Sequence, residues 1–182
     1  MENAEVAKTL SELADLLELT GGNPYKVRAY RQAAQVIDTL PAAVSELWRR
    51  GELTSIPAIG ERIAARVGEL LERGTLPDRD ALASQVPPGV VELLSVEGVG
   101  PKTVAAAWKV LGVTDLDGLE EACRSGRLPA LPRMGERRAQ AILEAIRRHR
   151  ARRTPRLLLH RAASYADSIC AKHLRCELRA LL

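Results

Sequence analysis

Three short segments of the chain share a residue pattern that could bind a phosphate group. Each has an apolar residue, two turn-forming residues, a second apolar residue and a glycine, at residues 56–60, 96–100 and 131–135. The pattern therefore forms an internal repeat. A turn that ends in glycine has no Cβ in its way, so a helix can begin at once. The first N–H groups of that helix lack intrahelical partners and carry the positive end of its dipole, which suits a phosphate.

The elements that would position these turns are all predicted to be helices. Val6, Leu10 and Leu13 recur at helical spacing, Asn23-Pro24 is typical of a helix start, and no segment alternates with period two for long. We therefore predict an all-α protein of two small domains built on helix-hairpin-helix motifs. The domains are expected at residues 1–76 and 89–150, with a proline-rich linker over 75–89 and a C-terminal helix in 151–182.

Composition and charge favour a nucleic-acid partner over a membrane. The chain of 182 residues has a net charge of +4, and six arginines without an acid lie between residues 147 and 156. A solvated helix face is the alternative explanation for that run. No stretch could span a bilayer, no leader precedes the first helix, and the number of cysteines is odd. We expect a cytoplasmic, nucleoid-associated protein. With 3% aromatic residues the chain is poorly equipped to stack on single strands.

Two stretches resemble the N-terminal third of bacterial family X DNA polymerases. They are NPYKVRAYRQAA at residues 23–34 and GVGPKT at residues 98–103, and the resemblance extends over nearly the whole chain. It implies a small N-terminal domain that holds the 5′-phosphate downstream of a gap through Lys26, Tyr30 and Arg62. A core aromatic with its hydroxyl at the rim is the other interpretation of Tyr30. The second hairpin corresponds to one in the fingers region of those polymerases.

The hairpin pattern and the resemblance together predict one set of DNA-binding residues. The members lie in the hairpins or on the helices beside them: Lys26, Tyr30, Gly60, Arg62, Arg66, Gly98, Gly100, Lys102, Thr103, Gly135 and Arg137. The resemblance also implies that hairpin carbonyls bind a K⁺ or Na⁺ ion. The corresponding carbonyls belong to Thr54, Ile56 and Ile59 in the first hairpin and to Leu94, Val96 and Val99 in the second.

One hairpin position departs from the family pattern. Ala58 and Arg133 stand where the family has a first glycine, whereas Gly98 keeps it. If that position requires a positive φ, each substitution costs about 1 kcal/mol and can distort the loop. We therefore expect the second hairpin to bind best.

Catalysis is not predicted for this chain. Some family members form a Schiff base between a lysine and a 5′-deoxyribose phosphate, but the corresponding position is Arg66, and a guanidinium stays protonated. Lys26 or Lys102 could serve only as a weak substitute in a lyase reaction. A DNA glycosylase would use Lys102 with an acid from a group further on: Asp115, Asp117 and Glu120.

Two other patterns have structural explanations. Asp115 precedes a predicted helix and is interpreted as its cap. Cys170, His173 and Cys176 share one helix without a fourth ligand, so they are interpreted as incidental rather than as a zinc site. The chain has neither the palm carboxylates of a polymerase nor a histidine-rich exonuclease domain.

We therefore predict a non-catalytic protein that binds DNA through its backbone phosphates, without sequence specificity. The resemblance favours gapped or nicked DNA in repair, such as base excision repair, with a repair protein as a further partner. The competing hypothesis is a protein interaction module whose DNA affinity is incidental.

Overall fold

The computed structural model describes residues 1–132 and 134–152. Outside them lie Arg133, nearly all of the predicted C-terminal helix and the three residues interpreted as an incidental cluster, Cys170, His173 and Cys176. The described residues contain helices and no strand, so the all-α prediction is confirmed. The elements are α1 Asn3–Thr20, α2 Pro24–Asp38, α3 Val44–Arg49, a 3-10 turn at Leu53–Ser55, α4 Glu61–Arg73, α5 Pro77–Ala83, α6 Pro88–Leu93, α7 Pro101–Leu111, α8 Leu116–Arg124 and α9 at residues 136–152.

The N-terminal core lies between α1, α2 and α4. Its apolar residues recur at helical spacing on each helix, as with Leu10 and Leu13 of α1, which are fully buried beside Ile37 of α2 and Leu70 of α4. α2 begins where predicted, because the Asn23 side chain accepts a hydrogen bond from the amide of Tyr25 at 2.8 Å. This core holds α2 and α4, the two helices that carry the predicted phosphate site.

Helix α1 also enters the core of the second unit. Leu16 and Leu19, near the C-terminal end of α1, are buried in the same cluster as Val104 and Ala107 of α7. One helix thus contributes apolar side chains to both cores. Burial of this kind stabilises contacts by about 25 cal/mol for each Å² of apolar surface removed from water. The two helix-hairpin-helix units are therefore packed together through α1.

The linker predicted over residues 75–89 was wrong. Pro77 and Pro88 each begin a helix, at a position where the missing N–H is not needed. Leu76 and Val86 are buried, and α5 packs against α1. Arg79 of α5 donates hydrogen bonds to Glu12 Oε2 of α1 at 3.0 and 2.8 Å. Proline marks helix starts here rather than a flexible connection.

Candidate nucleic-acid interface

All three hairpins have the same backbone hydrogen bonds. In each, the amide of the second apolar residue donates across the turn to the carbonyl of the first. These pairs are Ile59 to Ile56 at 3.1 Å, Val99 to Val96 at 3.0 Å and Met134 to Leu131 at 3.1 Å. The carbonyl of the closing glycine then accepts the amides three and four residues later, at the start of α4, α7 and α9. The sequence repeat is therefore a structural repeat.

The first-glycine position does require a positive φ. Gly98 has φ +79° and Ala58 has φ +68°, and Ala58 is the only non-glycine residue with positive φ in the described part of the chain. The expected cost at Ala58 therefore has its geometric basis. The expected distortion does not occur, because the turn of the first hairpin keeps the hydrogen bond found in the second. The local backbone accepts the strained alanine and retains its shape.

The closing glycines have a different role from the one predicted. Gly60 and Gly100 have φ of −82° and −83°, an extended backbone that any residue adopts. A Cβ at Gly60, Gly100 or Gly135 would meet nothing within 4 Å. The prediction that the turn needs glycine at these positions is therefore wrong, and the closing glycines require another explanation.

Each closing glycine instead leaves the start of the following helix open. No side chain caps α4 or α7, although Ser, Thr, Asp or Asn at the same position would do so. The amides of Glu61, Arg62 and Lys102 have no hydrogen-bond partner among the described residues. Unpartnered donors and empty space at a positive helix end are suited to an anion from outside the protein.

The first hairpin opens onto a groove of about 940 Å³ between α2 and α4. Five predicted site residues line it together: Lys26, Tyr30, Gly60, Arg62 and Arg66. Lys26 and Arg62 are exposed and form no ion pair with any described residue. Tyr30 is half-buried and packs against the N-terminal core, and it also lines the groove, so its contact with a phosphate stays a prediction. Two unpaired cations face one concave surface.

Arg66 differs from these two cations because it is already paired. Its Nη1 lies 2.7 Å from Glu69 Oε2, and its Nη2 bonds Asp78 Oδ2 of α5. The hydrogen bond to Glu69 and the charge of Asp78 raise the pKa of Arg66 above its ordinary value, against an opposing effect of burial. Arg66 thus stays protonated and cannot act as an imine-forming amine.

The second unit presents fewer free cations than its sequence suggests. Lys102 and Arg137 are exposed, and neither forms an ion pair with a described residue. The Thr103 side chain is buried at 6% exposure, so only its neighbours face solvent. In the basic run, Arg148 lies 3.3 Å from Glu97 and Arg150 lies 2.8 Å from Glu120. Part of that run is therefore neutralised by acids of the same unit.

The acids considered for a glycosylase have structural partners. Asp115 Oδ1 accepts the Gly118 amide at 2.7 Å and caps α8, which confirms the capping interpretation. Asp117 and Glu120 both pair with Arg150. All three carboxylates therefore have partners within the described part of the chain. The residues described contain no His, Cys, Asp and Glu cluster that could hold a metal.

Some groove residues were not predicted from the sequence. Asn23, Tyr25, Ala58, Glu61 and Asp78 also line the groove, and Tyr25 is 78% exposed. Asp78 was missed because it fell in the supposed linker. The signal available was a proline followed by acids, which is typical of a first helical turn.

Binding of K⁺ or Na⁺ by the hairpin carbonyls stays a prediction, and the backbone of the turns is compatible with it. The Ile56 and Val96 carbonyls occupy equivalent places in the two turns, and each accepts one amide, which leaves a second lone pair for a cation. The positive φ at Ala58 and Gly98 gives both turns the same backbone conformation.

No helix described here is long and apolar enough to cross a membrane.

Comparison with known proteins agrees with this geometry. Residues 1–76 match the family model of a helix-hairpin-helix domain, and residues 90–148 match that of a SAM-like helix-hairpin-helix tandem. No curated protein matched the chain. The chain therefore carries two helix-hairpin-helix regions, a module that binds DNA without reading its sequence.

Proposed function

We propose that this protein binds gapped or nicked DNA and that the groove between α2 and α4 receives the 5′-phosphate at the gap. The observation that carries the proposal is the convergence of Lys26 and Arg62, both unpaired, with the open start of α4. The role that fits this preference is DNA repair in the cytoplasm, at the nucleoid, with a repair protein as partner. No catalytic step is proposed, since the position of the lyase lysine is Arg66.

The charges in the groove favour a terminal phosphate over an internal one. A phosphomonoester carries nearly two charges at neutral pH and three acceptor oxygens. Hydrogen bonds to charged groups contribute about 1.5–3 kcal/mol each, and a helix N-terminus adds about 0.3–1 kcal/mol. Lys26 and Arg62 are positioned to form the charged hydrogen bonds, and the amides of Glu61 and Arg62 provide the helix N-terminus. An internal phosphate has a single charge and gains less.

The second and third hairpins would hold the duplex itself. Lys102 and Arg137 follow the open glycines of these hairpins and are exposed. Because α1 contributes to both cores, the groove and the second hairpin act from one packed body. We propose that the groove and the second hairpin contact the two duplex arms beside a gap. The hairpin carbonyls would hold K⁺ or Na⁺ there, so binding in K⁺ or Na⁺ should be tighter than in a bulky organic cation at equal ionic strength.

Fluorescence anisotropy at ~150 mM salt tests the proposal directly. Three labelled DNAs are compared: an intact duplex, a one-nucleotide gap with a 5′-hydroxyl and the same gap with a 5′-phosphate. We expect the phosphorylated gap to bind most tightly. Lys26→Ala or Arg62→Ala should each reduce that preference by about tenfold, the loss of one charged hydrogen bond. Lys8→Ala, an exposed lysine of α1 outside the groove, is the matched control.

The second hairpin has its own test in the same assay. Lys102→Glu should weaken binding to all three DNAs by a similar factor and independently of sequence. Equal, weak binding of the unaltered protein to every DNA would contradict the gap-binding proposal. That result would instead favour the protein interaction module, for which the 68% exposed side chain of Val110 offers an apolar contact point.

A further inference from the structure

A carboxylate faces the proposed phosphate groove. Asp78, near the start of α5, lines the groove together with Lys26, Tyr30 and Arg66. It also lines a smaller adjoining cavity of about 300 Å³, whose other walls include Leu13, Leu17 and Leu82. Its Oδ2 is the acceptor for Nη2 of Arg66, twelve residues earlier in the chain. Asp78 therefore stands at the guanidinium edge that a phosphate would use.

We propose that Asp78 competes with phosphate for Arg66, so that binding of a 5′-phosphate displaces the Asp78 carboxylate from the guanidinium. This inference rests on the proposed function, since it concerns the same groove. The exchange breaks one hydrogen-bonded ion pair and forms another, and Arg66 remains charged throughout. Asp78 thereby sets the affinity of the groove for phosphate.

The exposure of the pair makes such an exchange feasible. The side chains of Arg66 and Asp78 are 33% and 53% exposed, and ion pairs in contact with water are weak. A phosphate presents more charge and more acceptor oxygens to the same planar donors. Glu69 is only 21% exposed and holds Nη1. It would keep the guanidinium oriented after Asp78 has left Nη2.

A closely matched control exists on the same helix. Asp80 pairs with Arg79 at 3.1 Å, and Arg79 is also held by Glu12, as Arg66 is also held by Glu69. Neither Asp80 nor Arg79 lines the groove. Asp78→Asn and Asp80→Asn therefore remove the same charge from the same helix, and each reduces one ion pair of a doubly paired arginine to a neutral contact. Only Asp78→Asn does so in the groove.

The experiment measures binding of these variants to the gaps with and without a 5′-phosphate. We expect Asp78→Asn to bind the phosphorylated gap about five- to tenfold more tightly, and Asp80→Asn to change it less than twofold. Because Arg66 contacts the phosphate in both the unaltered protein and Asp78→Asn, the slope of log K against log salt should differ between them by less than the roughly 0.7–0.9 of one phosphate contact. Thermal melting of both variants verifies that they are folded.

A double-mutant cycle with Arg66→Gln separates exchange from simple repulsion. If Asp78 acts through Arg66, the gain from Asp78→Asn disappears in the Arg66→Gln background. A gain that persists there, or equal effects of Asp78→Asn and Asp80→Asn, would overturn the inference while leaving gap binding intact. A phosphate preference that appears only in Asp78→Asn would support the inference but contradict the proposed function. No preference in either protein would overturn both.

Discussion

The strained hairpin residue provides a stability prediction with a defined sign. Ala58 is exposed and has φ +68°. The left-handed conformation costs an L-residue about 1–2 kcal/mol, and glycine removes that cost. Glycine also increases the entropy of the unfolded chain, which offsets about 0.4–1 kcal/mol. Ala58→Gly should therefore raise the free energy of unfolding by about 0.5–1 kcal/mol. For a chain of this size the melting temperature rises by about 1–4 °C.

The equivalent position in the second hairpin should respond in the opposite direction. Gly98 has φ +79°, and a Cβ added there would meet nothing within 4 Å. Gly98→Ala therefore adds backbone strain without a clash and, with the same entropy offset, should lower the free energy of unfolding by about 0.5–1 kcal/mol. Ala65, which is exposed within α4, is the control for a general effect of glycine. Ala65→Gly should destabilise by about 0.5–1 kcal/mol.

Urea unfolding followed by circular dichroism, together with thermal melting, measures all three variants. The m-value must stay constant for the midpoints to be compared as stabilities. A loss of stability in Ala58→Gly as large as that in Ala65→Gly would refute the argument that positive φ strains the first hairpin. Equal signs for Ala58→Gly and Gly98→Ala would refute the structural equivalence of the two turns.

Three further predictions follow from individual contacts. Gly89→Ala should lower the melting temperature markedly, because its Cβ would lie 2.3 Å from the Thr114 carbonyl oxygen, whereas Gly100→Ala creates no clash and should lower it much less. Asn3→Ala should destabilise by about 1–3 kcal/mol in urea, since the Asn3 side chain bonds two backbone carbonyls and one amide of the segment after α2. Burial and the charge of Glu120 raise the pKa of Cys123 from 9.0 to about 11, so its contribution to stability should decline as pH rises from 9 towards 11. In a variant that lacks Cys170 and Cys176, alkylation of Cys123 should then require unfolding, and rapid labelling at pH 8 would contradict this.

The features that the sequence determined are those that depend on neighbouring residues. The start of α2 at Asn23-Pro24, the cap at Asp115 and the three hairpins involve hydrogen bonds between residues at most four apart. Such bonds are encoded by residue type and spacing, so the all-α fold was predictable. The helical spacing also placed Lys26 and Tyr30 on one face of α2, and both line the groove.

Only the tertiary structure decided which charges are free and which helices are shared. The pairing of Arg66 with Asp78 depends on how α5 packs beside α4 and α1, and a local pattern does not specify that packing. The same is true of Leu16 and Leu19, whose helical spacing indicates a buried face but not the core that covers it. Local hydrogen bonds depend on residues adjacent in the sequence, whereas burial and ion pairing depend on which distant segment packs against a residue. The sequence therefore predicted the hairpin turns, whereas the packing of α5 decided that a carboxylate, Asp78, lines the groove at the first of them.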